Sequence, residues 1–451
     1  MRDLTNGRES TQIIIFALPM LIGNIFQQFY NTVDSWVVGQ YVGKEALAAV
    51  GTSFPVIFLM VSLAMGVGMG ANVLMAQFYG AKARDKMKAT IDTAYISLFV
   101  MGVVLTVLGV ILVKPILTMI RVKPEFFDMA AEYLRIVFFG LILTFGYNTV
   151  GGILRGLGDS VTPLVILIFS TVVNIALDLV FVRSFGWGVA GVAWATVIAQ
   201  GASFIGSIIY LNKTHEVLKT DFLHLNFNRE IFREIFRIGL PSGIQQALVS
   251  LGFMVMAAIV NGFDTAVVAG FHTASRIDSF VGMPAMNIGM ALSSFTGQNM
   301  GAGKIDRVKR GFHAAMIIGL GITAVLSVAL FFGGDKLLRL FTPELDVINA
   351  GYEYLRVVAV FYFLFTIMFV TNGLIRGSGE AIVPMISTLT AMWLVRIPCA
   401  IYLSRLMGPL GIWLSLPVGW VIGSLISLIY YWSGRWMKKS VIKQDGPVPE
   451  L

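Results

Sequence analysis

Twelve stretches of the chain are apolar over the ~20 residues that a helix needs to cross a hydrocarbon core of about 30 Å. They lie at roughly 12–39, 46–79, 89–113, 128–154, 161–182, 188–211, 234–262, 265–299, 311–335, 350–375, 382–404 and 409–434. Inside lipid no water satisfies backbone N–H and C=O groups, so each stretch must close its own hydrogen bonds as a helix. The expectation is an all-α membrane protein with twelve transmembrane helices. Only 13% of the residues are charged, against about a quarter in a soluble domain. The first run is too long for a cleavable signal and continues through Pro19, so it is read as a span.

The formal net charge of +8 does not point to nucleic acid, because the Lys and Arg residues sit in short breaks between spans. Assigning both ends and every second loop to one face gathers 21 of the 33 basic residues there, against 8 on the other face and 4 inside spans. By the positive-inside rule both termini are cytoplasmic, in a multi-pass protein of the cell (inner) membrane. The bilayer is the expected surrounding partner, and a single copy is expected to suffice. Cys399 is the sole cysteine, so no internal disulfide is possible.

The two halves repeat. EYLRIVF (132–138) recurs as EYLRVVA (353–359), LRGLGDSVTP (154–163) as IRGSGEAIVP (375–384), and AQFYGAKARDK (76–86) as GQNMGAGKIDR (297–307). The offset is 221 residues, and ALPM at 17 matches GLPS at 239, one residue out of step. Matches in order at nearly constant offset mark duplication. Six spans per half insert the same way up, which predicts two lobes related by a pseudo-twofold along the membrane normal. The expected organisation is 1–212 as the first lobe, 213–233 as a polar cytoplasmic linker, and 234–451 as the second lobe with a short basic tail.

Intramembrane carboxylates are costly and by default functional. Gln27, Asn31 and Asp34 recur at i, i+4 and i+7 on one face of the first span, with Tyr30 beside them; Ser170, Asn174 and Asp178 form a second stripe in the fifth. Thr196, in the sixth span, adds a hydroxyl. Burial and a neighbouring like charge both favour a protonated carboxyl, so such a site suits a proton or a hard cation such as Na⁺. If Na⁺ is the ion, Asp34 and Asp178 are its ligands. The repeat supplies an internal control: the counterparts of Gln27, Asn31 and Asp34 are Val249, Phe253 and Met256, and those of Ser170, Asn174 and Asp178 are Ala391, Val395 and Cys399. Both acids belong to one half. The competing reading is that they are hydrogen-bonded glue between helices.

Elsewhere, Glu132 with Arg135 and Glu353 with Arg356 form duplicated i, i+3 pairs, read as structural. Arg276, Asp278 and Arg396 are placed in the second half; Asp278 either pairs with Arg396 or lines a cavity. Pro19 and its repeat mate Pro241 each free a backbone carbonyl and bend their helices; these are read either as simple packing kinks or, at Pro19, as a relay of the state of Asp34. No enzyme is expected: the four histidines are scattered and no GxxxxGK[ST] loop is present. Without ATP hydrolysis, energy must come from an ion gradient or a partner.

The duplicated six-span halves, the stretch LPMLIGNIFQQFYNTVDSWVVGQYVGKEALAAVG and the RGxG followed by Pro in each half resemble the multidrug and toxic compound extrusion (MATE) family over nearly the whole chain. NIALDLVF (174–181) looks like the first-lobe signature of its DinF-like branch. The resemblance implies drug efflux coupled to H⁺ or Na⁺, with Asp34, Asn174, Asp178 and Thr196 as the cation site and Gln27 and Tyr133 joining their network. It implies no cofactor beyond the coupling ion, and amphipathic, often cationic small molecules as substrates, moved by rocking of the lobes. A flippase for lipid-linked precursors, from the same superfamily, is the alternative. The chain departs from the pattern at Gly151, where Asn is common; Asn148 lies one turn back, and Asn372 keeps the residue in the second half.

Overall fold

The computed structural model describes residues 2–214, 219–222 and 224–442, and among them there is no strand. The helices are α1 (Glu9–Val37), α2 (Lys44–Gly80), α3 (Arg84–Met119), α4 (Pro124–Phe139), α5 (Leu141–Gly156), α6 (Val161–Asp178), α7 (Gly188–Thr214), α8 (Arg229–Val260), α9 (Thr265–Gly301), α10 (Ile305–Arg339), α11 (Leu345–Gly377), α12 (Ile382–Leu389), α13 (Ile397–Met407) and α14 (Pro409–Trp432). Three π-helical turns interrupt or extend them: Val38–Val42 after α1, Leu179–Ser184 after α6, and Thr390–Arg396 between α12 and α13.

Among the described residues ten helical segments are long and apolar enough to cross a membrane, and α4 with α5, bent by 50° at their junction, make an eleventh. The remaining expected span is α9. Its 37 residues give ample length, but Asn287, Gln298 and Asn299, all buried, lower its hydropathy. Those polar side chains turn inward rather than toward lipid. The bend between α4 and α5 falls at Gly140, where a Cβ would collide with the Val197 side chain of α7. The second half has Phe361 at that place, and α11 runs through unbroken.

The chain forms two compact units. One comprises Ile22–Ala247; the other comprises Asp3–Leu21 and the chain from Leu248 onward. Each contains the same helix crossing. In the first unit a Cβ on Gly152 would strike the backbone of Gly68, and one on Gly156 that of Asn72. In the second, Gly373 stands in the same relation to Gly289, and Gly377 to Ser293. All four pairs are related by the 221-residue offset. Only glycine lets the backbones of α2 and α5, and of α9 and α11, approach so closely.

The first residues pack within the second unit. Leu4 is 0% exposed; its N–H donates to Gln298 Oε1 (2.9 Å) and its carbonyl accepts from Asn299 Nδ2 (3.2 Å). Glu9 pairs with Arg307 (3.3 Å) and Arg310 (2.9 Å). Burial works against the Asp3 carboxylate, but donors on Thr5 and Asn6 and the charge of Lys304 hold its pKa below the ordinary value. Of the expected linker 213–233, residues 215–218 and 223 lie outside the described residues. The rest is tied to the first unit: Thr220 N–H donates to Asn212 (2.8 Å), and Asn228 caps α8 while donating its N–H to Thr93 (3.1 Å). Residues 443–451 of the expected basic tail also lie outside the described residues; before them, Lys439 pairs with Glu380 at 2.8 Å.

Candidate functional site

In the first unit, α1, α4, α6 and α7 bring the predicted polar residues together. Both acid-bearing helices give way to π-helical turns next to their carboxylates: α1 ends three residues after Asp34, and α6 ends at Asp178 itself. Such turns widen the helix locally and are frequent at functional sites. The carboxyls of Asp34 and Asp178 lie within hydrogen-bonding reach of each other. Each keeps a buried Oδ1 with no hydrogen-bond partner.

Asn174, one turn before Asp178, is fully buried. With its amide turned to match donors to acceptors, the nitrogen donates to Asp178 Oδ2 (3.1 Å) and the oxygen accepts from the Thr196 N–H (3.2 Å). The Thr196 hydroxyl accepts from Tyr30 Oη at 3.3 Å. Tyr133 is buried and close enough to Asp34, Tyr30 and Asp178 to interact electrostatically. Tyr133 belongs to a buried apolar cluster that includes Val37, Val38, Val137, Val182, Val189 and Val192.

Other members of the stripes go elsewhere. Asn31 is exposed and donates to Gln28 (3.4 Å). Gln27 is half-buried within α1. Ser170 donates to the Ala199 carbonyl at 3.1 Å, holding α6 on α7. Asn148 donates to Thr144 O within its own helix (2.9 Å). Pro19 lies within α1, which continues through it; the missing N–H leaves the Ile15 carbonyl without its helical donor. Tyr30 belongs to the network although the sequence placed it only beside the stripe; its position four residues before Asp34 is the signal. Among the described residues no group of three or more His, Cys, Asp or Glu side chains is placed to hold a metal. A cation at the acidic pair would have to draw on the oxygens of Asp34, Asp178, Asn174 and Thr196.

The second unit is built differently at the equivalent places. Met256, the counterpart of Asp34, is fully buried in an apolar cluster. Asp278 does not form an ion pair with Arg396 within 4 Å; its Oδ2 accepts from Tyr354 Oη (2.9 Å) and its Oδ1 from Tyr362 Oη. Arg276 is exposed. Nor do Glu353 and Arg356 pair with each other: Glu353 accepts from Trp413 Nε1 (3.2 Å), and Arg356 lies over the rings of Phe331 (4.7 Å) and Tyr352 (5.6 Å). Aromatic neighbours offered each charge a better partner than its i, i+3 mate.

Membrane-length helices with a repeated glycine crossing, and an acidic pair whose counterparts in the other half are Met256 and Cys399, define a polytopic membrane protein of duplicated design. The MatE family model matches residues 19–180 and again residues 241–402, so the chain belongs to the MatE family of multidrug transporters. It is 32% identical to the probable multidrug resistance protein YoeA of Bacillus subtilis (strain 168) over 438 residues, 95% of this chain and 94% of that protein. It is 31% identical to the probable multidrug resistance protein YpnP of the same organism, over 96% of this chain and 97% of that one. A solved structure, the outward-facing conformation of a multidrug resistance MATE family transporter of the MOP superfamily, superposes with a TM-score of 0.89 at 25% identity, covering 97% of this chain and 98% of that one.

Proposed function

We propose that the chain is a cation-coupled antiporter that expels amphipathic compounds, many of them cationic, from the cytoplasm. The observation that carries this reading is the Asp34–Asp178 pair: two acids within reach of each other inside the first unit, each with an oxygen left unpaired. Two carboxylates so close repel unless a proton or a cation lies between them. H⁺ or Na⁺ arriving from outside fills that place; Asn174 and Thr196 steady the Asp178 side, and Tyr30 and Tyr133 close the network.

Occupation of the pair changes the course of α1, with Pro19 as the point where the helix yields, and lowers the affinity for substrate, which leaves outward. The two homologous halves then rock to open inward, the ion departs and new substrate enters. The protein works as a monomer with both termini cytoplasmic, and the coupling ion is its only inorganic ligand. Alanine at Asp34 or at Asp178 tests the reading. Each should abolish drug resistance in cells while expression is retained, and retained resistance in both variants would contradict the coupling role.

A further inference from the structure

Arg396 closes the π-helical turn Thr390–Arg396 and is 7% exposed. A guanidinium has five N–H donors and no means of shedding its charge in a protein. Here Nε has no partner. Nη1 reaches only Met392 Sδ, at 3.6 Å, and the ring of Phe253 lies 5.6 Å from the guanidinium carbon. Sulfur and an aromatic face are poor substitutes for oxygen acceptors, and a buried donor left without one calls for an explanation.

The nearest carboxylate does not supply it. Asp278 acts on Arg396 through space, while its own oxygens are taken by Tyr354 and Tyr362. With both Asp278 oxygens taken by phenols, the guanidinium has no carboxylate within 4 Å among the described residues, and its Nε is left without an acceptor. Phe253 is 57% exposed, so the side of the ring away from the guanidinium is not covered by protein. Phe253 is the repeat counterpart of Asn31, and Arg396 directly follows Val395, the counterpart of Asn174. Where the first unit gathers acids, the second holds a cation.

We propose that Arg396 is an anion subsite: it receives the carboxylate, sulfonate or phosphate of an amphipathic molecule whose planar apolar body lies against Phe253. This rests on the reading that the chain moves amphipathic compounds, and it extends the substrates to molecules bearing an oxyanion. Arg suits the role because its planar fork binds an oxyanion through two parallel hydrogen bonds.

Rhodamine B and its ethyl ester share one xanthene body and differ in whether the carboxylate is free. Their binding to the purified full-length protein is read by fluorescence anisotropy. Wild type should bind the free acid about tenfold tighter than the ester, the scale of one charge-assisted hydrogen-bonded contact. Arg396→Gln should erase that preference and leave ester affinity unchanged; Arg396→Lys should keep part of it. Equal wild-type affinity for the two dyes would overturn the proposal without any variant, as would a Gln variant that weakens both dyes alike. Binding of neither dye would contradict the transport reading, and this subsite with it.

Discussion

The carboxyl of Asp34 on α1 meets that of Asp178 on α6 inside the first unit, and one oxygen of each is buried without a hydrogen-bond partner. Neither feature is repeated in the second unit, where Met256 takes the place of Asp34 in an apolar cluster. The duplication built one scaffold twice, and the acidic pair is present in one copy only.

Asn174 holds Asp178 Oδ2 at 3.1 Å, so Asn174→Ala should leave a buried carboxylate oxygen without its donor. The expected loss of stability is about 1–3 kcal/mol, measured by thermal unfolding in detergent, together with weakened ion-driven efflux. Unchanged stability would place the amide outside the network.

Gly152 and Gly373 are equivalent contacts in the two units. Valine at either should force a helix pair apart and cost about 1–3 kcal/mol or more through overpacking. Parallel losses of unfolding temperature in the two variants are expected. A tolerated valine at one position would mean that its crossing can relax where the other cannot.

Pro19→Ala should restore a donor to the Ile15 carbonyl and stiffen α1. Efflux turnover is expected to fall several-fold while ion binding at the acidic pair is retained, read by separate transport and ion-binding assays. Full turnover in this variant would remove the Pro19 bend from the cycle.

The Asp3 carboxyl has its pKa held below the ordinary aspartate value of 3.8 in the folded protein. Its contribution is therefore fully present above that unfolded value and is lost as pH falls through the lower folded value. The protection of the Leu4 amide against hydrogen exchange, relative to its intrinsic rate at each pH, should fall over that acidic window in the wild type. Asp3→Asn should exchange faster at neutral pH and lose that pH step; an unaltered step would assign it to another group.

Much of this was legible in the sequence because lipid and duplication leave periodic marks. Span lengths, the 221-residue offset and the confinement of Asp34 and Asp178 to one half could all be read directly. The polar stripe was less reliable. Asn31 shares a broad face with Asp34 but stands about 60° around an ideal helix from it, enough to leave it exposed and bonded to Gln28. The Tyr354 and Tyr362 caps on Asp278 span 76 and 84 residues, and the seat of Leu4 on Gln298 spans 294. Contacts at such separations are made by tertiary packing and leave no local pattern. The break at Gly140 was hidden for a similar reason, since only the approach of Val197 shows why a side chain is excluded there.

In the proposed cycle, ion binding at Asp34 and Asp178 drives export. Its most direct measurement is efflux of a fluorescent cation such as ethidium from proteoliposomes, with a proton gradient and a Na⁺ gradient imposed separately. Wild type should respond to at least one of them, and Asp34→Asn and Asp178→Asn should each reduce that response by tenfold or more, about 1.4 kcal/mol in the driving equilibrium. Efflux indifferent to both gradients, or equally gradient-driven in both variants, would contradict it.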